Sequence, residues 1–151
     1  MGIDPRPICV LPGTLPGMTK HFEITFDGGS INNPGKGYGS YRLTVDGTHQ
    51  DVVQLDFSPK GEKVTNNQAE YRTLIAALEA VEKAAFPEAD ETKIRVYGDS
   101  KLVIEQLSGR WKVKNVDLQP LHLRAAHLMQ RFAKVELTWR GRAWAVKVLG
   151  H

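Results

Sequence analysis

From His21 onward, apolar and polar residues alternate. Phe22, Ile24 and Phe26 are separated by Glu23, Thr25 and Asp27, a period of two that predicts a strand with one buried face. Asp27-Gly28-Gly29-Ser30 and Asn32-Asn33-Pro34-Gly35 are turn material. A second strand is predicted over Tyr38–Val45, and Asp46-Gly47 is a hairpin turn signal. A third strand follows over Gln50–Phe57, with Val53, Leu55 and Phe57 on one face. The start of the chain therefore predicts three successive antiparallel strands.

The period then changes. Thr65 with Gln68 three residues later fits a capping box, and Leu74, Leu78 and Val81 form an apolar stripe at helical spacing ahead of Pro87. Ile94–Asp99 reads as a fourth strand, and Ser100–Leu107 as a helix stopped near Gly109. A further helix is expected from an Asp117 cap, with Pro120 in its first turns, to about Phe132. A fifth strand is expected over Val135–Trp139. Strands joined through helices pair in parallel, so the class is α/β with a five-stranded mixed sheet flanked by helices.

Residues 1–20 break the pattern. Their prolines and glycines, without periodicity, predict an extended or disordered leader, with Met18 a candidate start and a single domain over 21–151. The same residues interrupt any signal-peptide core, and no apolar run approaches the roughly 20 residues that span a bilayer. Cys9 is the only cysteine, which excludes an internal disulfide and disfavours a cysteine zinc site; a reducing, cytoplasmic setting is expected. Twenty basic against 17 acidic residues give a net charge of +3, compatible with a polyanionic partner without requiring one.

Three carboxylates stand where chemistry is possible. Asp27 and Asp99 end predicted strands; singly, such residues are usually turn or cap residues. Glu70 lies four and eight residues before Leu74 and Leu78, on the face expected to pack on the sheet, where a carboxylate is costly unless paired or bound to a cation. The alternative is a first-turn glutamate eased by the helix N-terminus and reaching solvent. If the three converge, their like charges repel. A hard divalent cation, Mg²⁺ or Mn²⁺ rather than zinc, relieves this, and two such ions suit phosphodiester hydrolysis.

These residues sit in recognisable motifs. Ile24-Thr25-Phe26-Asp27-Gly28-Gly29-Ser30 with Asn33-Pro34-Gly35, Thr65-Asn66-Asn67-Gln68-Ala69-Glu70-Tyr71 and Tyr97-Gly98-Asp99-Ser100-Lys101-Leu102-Val103 resemble, in order, the three motifs of type 1 ribonuclease H. Val113–Leu118 resembles the segment entering that family's later helix. The resemblance runs from about Phe22 to Trp139. It implies a ribonuclease H-like fold, a monomer, and two-metal cleavage of the RNA strand of an RNA–DNA hybrid that leaves a 3′-hydroxyl and a 5′-phosphate. Asp27, Glu70 and Asp99 are the implied metal ligands. Gly28, Gly29, Ser30, Asn33, Asn66 and Asn67 are implied hybrid contacts, and an amide reads a 2′-hydroxyl well. Helix capping is the plain alternative for Asn66 and Asn67, and a solvated surface position for Lys101, which otherwise contacts a phosphate.

Two departures from the family matter. Ser108-Gly109-Arg110-Trp111-Lys112 joins two helices directly, resembling the short form without a basic protrusion. Arg110, Trp111, Lys112 and Lys114 then offer phosphate and stacking contacts, unless Trp111 is a half-buried packing residue. Leu149 stands at the spacing of the family's fourth carboxylate, expected from a helix after the last strand, and no acidic residue follows Glu136, so either the chain is cut short or that role is filled differently. His151 is the candidate to assist in its place, against the alternative of a terminal residue without a role. Two other readings remain: a hybrid-binding module of the same fold with weak or no cleavage, and a DNA recombinase or transposase core, which leaves Asn66-Asn67 unexplained.

Overall fold

The computed structural model describes residues 20–150. The expected leader and His151 lie outside this range except for Lys20, which opens the first strand. Seven strands form one mixed sheet: β1 (Lys20–Ile31), β2 (Gly35–Val45), β3 (Thr48–His49), β4 (Val53–Asp56), β5 (Lys63–Val64), β6 (Thr92–Gly98) and β7 (Lys134–Trp139). The order is β3-β2-β1-β6-β7, with β4 and β5 also on β2. β1 and β2 are antiparallel, whereas β6 runs parallel to both β1 and β7.

The sheet corrects the sequence reading in three places. Asp27–Ser30 is not a turn. It extends β1, paired from Asp27↔Ser40 to Ser30↔Gly37, and the reversal is confined to residues 32–34. The expected third strand over Gln50–Phe57 shortens to β4, and short strands β3 and β5 appear before and after it, so seven strands replace five. Asp46-Gly47 does form the hairpin turn, with φ of 48° and 85° respectively, the left-handed pair that a two-residue hairpin requires.

Four helices complete the fold: α1 (Asn66–Ala85), α2 (Lys101–Leu107), α3 (Gln119–Met129) and α4 (Arg142–Leu149). The α1 capping box is present as expected. Thr65 Oγ1 accepts from the Gln68 N–H at 3.1 Å, and Gln68 Oε1 accepts from the Thr65 N–H at 2.9 Å. Asp117 does not cap α3; the helix begins at Gln119 after Leu118 without a side-chain cap, and the Asp117 N–H instead donates to Asn115 Oδ1. Helix α4 carries no periodic signal strong enough to have been anticipated.

Phe22, Ile24 and Phe26 of β1 and Ile94 and Val96 of β6 pack under Leu74, Leu78 and Val81 of α1 and Leu128 of α3. Each such side chain contributes about 1.5–3 kcal/mol on burial. Helix α4 lies on the opposite face. Arg42, the register partner of Thr25, donates to the Val148 carbonyl at 3.0 Å, and Trp144 packs on Tyr97, also level with Thr25. No helix among the described residues is long and apolar enough to cross a membrane.

Candidate active site

Parallel pairing of β1 with β6 ends at Phe26↔Gly98, so Asp27 and Asp99 are the next residues on adjacent strands. Strand spacing places their backbones about 5 Å apart at the carboxyl ends of parallel strands, where α/β sheets bind ligands. Glu70 arrives from α1 as its fifth residue. A Cβ on Gly28 would stand 2.8 Å from the Ala69 carbonyl and the Glu70 nitrogen, so only glycine lets helix and strand approach this closely. Gly28→Ala is therefore expected to push α1 off β1, lower thermal stability and cut catalysis at least tenfold; thermal melting and steady-state rates read the two effects.

The Glu70 carboxyl is pushed up to about 7. Burial is the main cause, a hydrogen bond from Ser100 opposes it, and the charges of Asp99 and Asp27 add to it. The three carboxylates thus share one electrostatic neighbourhood. They do not form a closed cage: among the described residues no three acidic, His or Cys side chains stand ready to hold one ion. Arg142, at the start of α4, approaches Asp99 Oδ2 at 3.9 Å. The donor set is all hard oxygen, the kind that suits a hard divalent cation rather than zinc.

The other expected residues divide. The Asn66 N–H donates to Asn33 Oδ1 at 3.0 Å, and Asn66 Oδ1 accepts from the Ser30 N–H at 2.7 Å, so both asparagines tie α1 to the β1–β2 turn. The Ser30 hydroxyl is enclosed without a hydrogen-bond partner among the described residues. Gly29 is buried in β1, where a Cβ would meet the Tyr38 ring. Asn67 lines a groove with Leu102, Gln106, Trp111, Lys112 and Lys114, running from the start of α1 to the basic loop. Trp111 is 45% exposed and stands outside the main core cluster. Lys101 is exposed at the start of α2. Arg110 is held by Glu105 through two hydrogen bonds of 2.6 and 3.0 Å. Leu149 is buried and packs, and α4 presents no carboxylate.

Sequence reasoning missed three contributors. Ser100 caps α2, accepting from the Val103 N–H, and its hydroxyl also donates to Glu70. Trp139 Nε1 donates to the Asp99 carbonyl at 3.1 Å, fixing the backbone there. The Arg140 guanidinium lies 5.3 Å from the Tyr97 ring and 5.5 Å from the Trp144 ring. Only Ser100 had a sequence signal, its place directly after Asp99.

A mixed sheet with carboxylates where the parallel pairing of its two central strands stops, and a basic groove alongside, defines the ribonuclease H-like class of α/β proteins. Residues 26–145 match the reverse transcriptase-like family, and the chain belongs to it. It is 45% identical over 121 residues to a bifunctional protein of Mycobacterium tuberculosis, covering 80% of this chain and 31% of that one. The chain thus spans about a third of that relative's length. The crystal structure of ribonuclease H1 from Halobacterium salinarum superposes with a TM-score of 0.73 at 36% identity, over 83% of this chain and 89% of that one. A compost-derived ribonuclease H1, solved in complex with an RNA/DNA hybrid, superposes at 0.74 and 26% identity, over 83% of this chain and 89% of that one.

Proposed function

We propose that this chain hydrolyses the RNA strand of an RNA–DNA hybrid, with Asp27, Glu70 and Asp99 holding divalent cations. The observation that carries this reading is the meeting of Asp27, Asp99 and the buried Glu70 at one place, where the Glu70 carboxyl is raised to about 7, chiefly by burial and further by the two neighbouring aspartates. Bound there, a divalent cation supplies Lewis acidity to a scissile phosphate. Ser100 orients Glu70 through its hydroxyl, and Trp139 fixes the Asp99 backbone. The oxygen ends of Asn33 and Asn66 are engaged within the protein, so their NH₂ ends are the donors for 2′-hydroxyl or base acceptors. Lys101, Trp111 and Lys112 supply phosphate and stacking contacts along the groove. His151 is retained as a proton-transfer candidate in place of the missing fourth carboxylate. The relative solved with a hybrid supports the choice of substrate.

A second reading is favoured by α4, whose residues Arg142–Leu149 include no acid: a module that binds hybrid with little cleavage. An end-labelled hybrid, incubated with Mn²⁺ and then Mg²⁺ beside duplex DNA, separates the readings. Cleavage of the RNA strand alone, leaving 3′-hydroxyl ends, is expected. Binding without cleavage under either ion leaves the module, and nicking of duplex DNA overturns both.

A further inference from the structure

The segment between α2 and α3, which carries Trp111 and Lys112, has no regular secondary structure, yet side chains pin it from beneath. Gln106, on α2 and only 6% exposed, is the hub. Its Oε1 accepts from the Tyr71 hydroxyl at 2.6 Å, and its Nε2 donates to the Lys112 carbonyl at 3.3 Å. His122 of α3 donates from Nε2 to the Gln106 carbonyl at 3.2 Å and stands edge-on to the Tyr71 ring at 6.3 Å. Tyr71 is fully buried and follows Glu70 on α1. One buried amide therefore links the helix carrying Glu70 to the backbone of the loop that walls the Asn67 groove.

We propose that Gln106 is a positioning residue, its side-chain amide setting the Trp111–Lys112 loop against the nucleic acid from the same helix frame that places Glu70. This rests on the hybrid-cleaving reading above. The physical basis is the two-ended character of a buried amide: one end accepts from Tyr71 in a bond closed to water, and the other donates to the loop in a partly buried one. A glutamate here would keep the acceptor and lose the donor; a methionine would keep the volume and lose both. Gln106 is 6% exposed and is bonded to the loop rather than placed among the acidic residues, so the effect falls on binding rather than on the chemical step.

The test compares wild type, Gln106→Met and Gln106→Glu, alone and in a Trp111→Ala/Lys112→Ala background. Affinity for a fluorescein-labelled RNA–DNA hybrid is read by anisotropy in Ca²⁺, KM and kcat in Mg²⁺, and amide hydrogen exchange over residues 110–114. Each single variant is expected to weaken hybrid binding and raise KM by about fivefold, the scale of a lost buried hydrogen bond. kcat should stay within about twofold, exchange should quicken in the loop, and the affinity loss should vanish in the double-alanine background. An unchanged Kd, or a loss that persists in that background, overturns the proposal. A wild-type chain that neither binds nor cleaves hybrid overturns the functional reading instead, and loop exchange alone then decides whether Gln106 holds the segment.

Discussion

Asp27→Asn is expected to reduce hybrid cleavage at least about a thousandfold, roughly 4 kcal/mol of transition-state stabilisation, while the hybrid Kd in Ca²⁺ changes by less than about threefold. The substitution keeps size and shape but exchanges an anionic oxygen for an amide, which holds a hard cation poorly. Asp27 sits beside Ser40 in the β1–β2 ladder, and the backbone pairing there does not depend on its charge. The fold should therefore persist. Hybrid binding should persist too, because the groove contacts lie with Asn67, Trp111, Lys112 and Lys114. Single-turnover cleavage and anisotropy on one preparation make the comparison. An active Asp27→Asn protein would place the metal centre elsewhere.

Glu70→Gln separates stability from activity in opposite directions. The wild-type carboxyl ionises near 7 in the fold against 4.5 as the ordinary value, with burial the chief cause. Between those pH values the folded chain holds a proton that the unfolded chain has released, so metal-free stability falls as pH rises through the window and levels off above 7. The full difference is on the order of 3 kcal/mol. The glutamine variant lacks this penalty. It should match wild type near pH 4 and melt at a higher temperature than wild type at pH 8 in EDTA. Saturating Mg²⁺ or Mn²⁺ should narrow or invert that gap, because the cation stabilises the wild-type carboxylate and has less to hold in the variant. Cleavage should fall at least about a hundredfold. A variant less stable than wild type at pH 8 without metal would show that the fold itself already compensates the Glu70 charge.

Much of this was legible along the chain because the signals are local. The alternation of Phe22, Ile24 and Phe26 specifies a half-buried strand whatever lies above it, and Thr65 with Gln68 specifies a helix start by bonds that span three residues. The order of the motifs placed Asp27, Glu70 and Asp99 on two strand ends and a helix. What failed was equally physical. Gly28, Gly29 and Ser30 look like a turn because glycine is usually punctuation, but here the β2 ladder holds them extended and α1 needs the space at Gly28. The alternation over Gln50–Phe57 predicts a longer strand than β2 accepts: β2 pairs only Val53–Asp56 of it and takes Thr48–His49 separately as β3. Trp139, Arg140 and Trp144 gave no sign of their roles, which come from chain crossings tens of residues apart.

The sequence by itself determined the α/β alternation, the capped helix that carries Glu70 and the identity of the acidic residues, since each follows from spacing within one segment. Only the tertiary structure decided that Asp27 and Asp99 stand side by side where the parallel pairing of β1 and β6 stops, that Glu70 is buried enough to be raised to about 7, and that Gln106 joins α1 to the loop of Trp111. Those facts depend on register and on burial. Both arise when separate segments exclude water from one another, and no single segment's pattern contains that information.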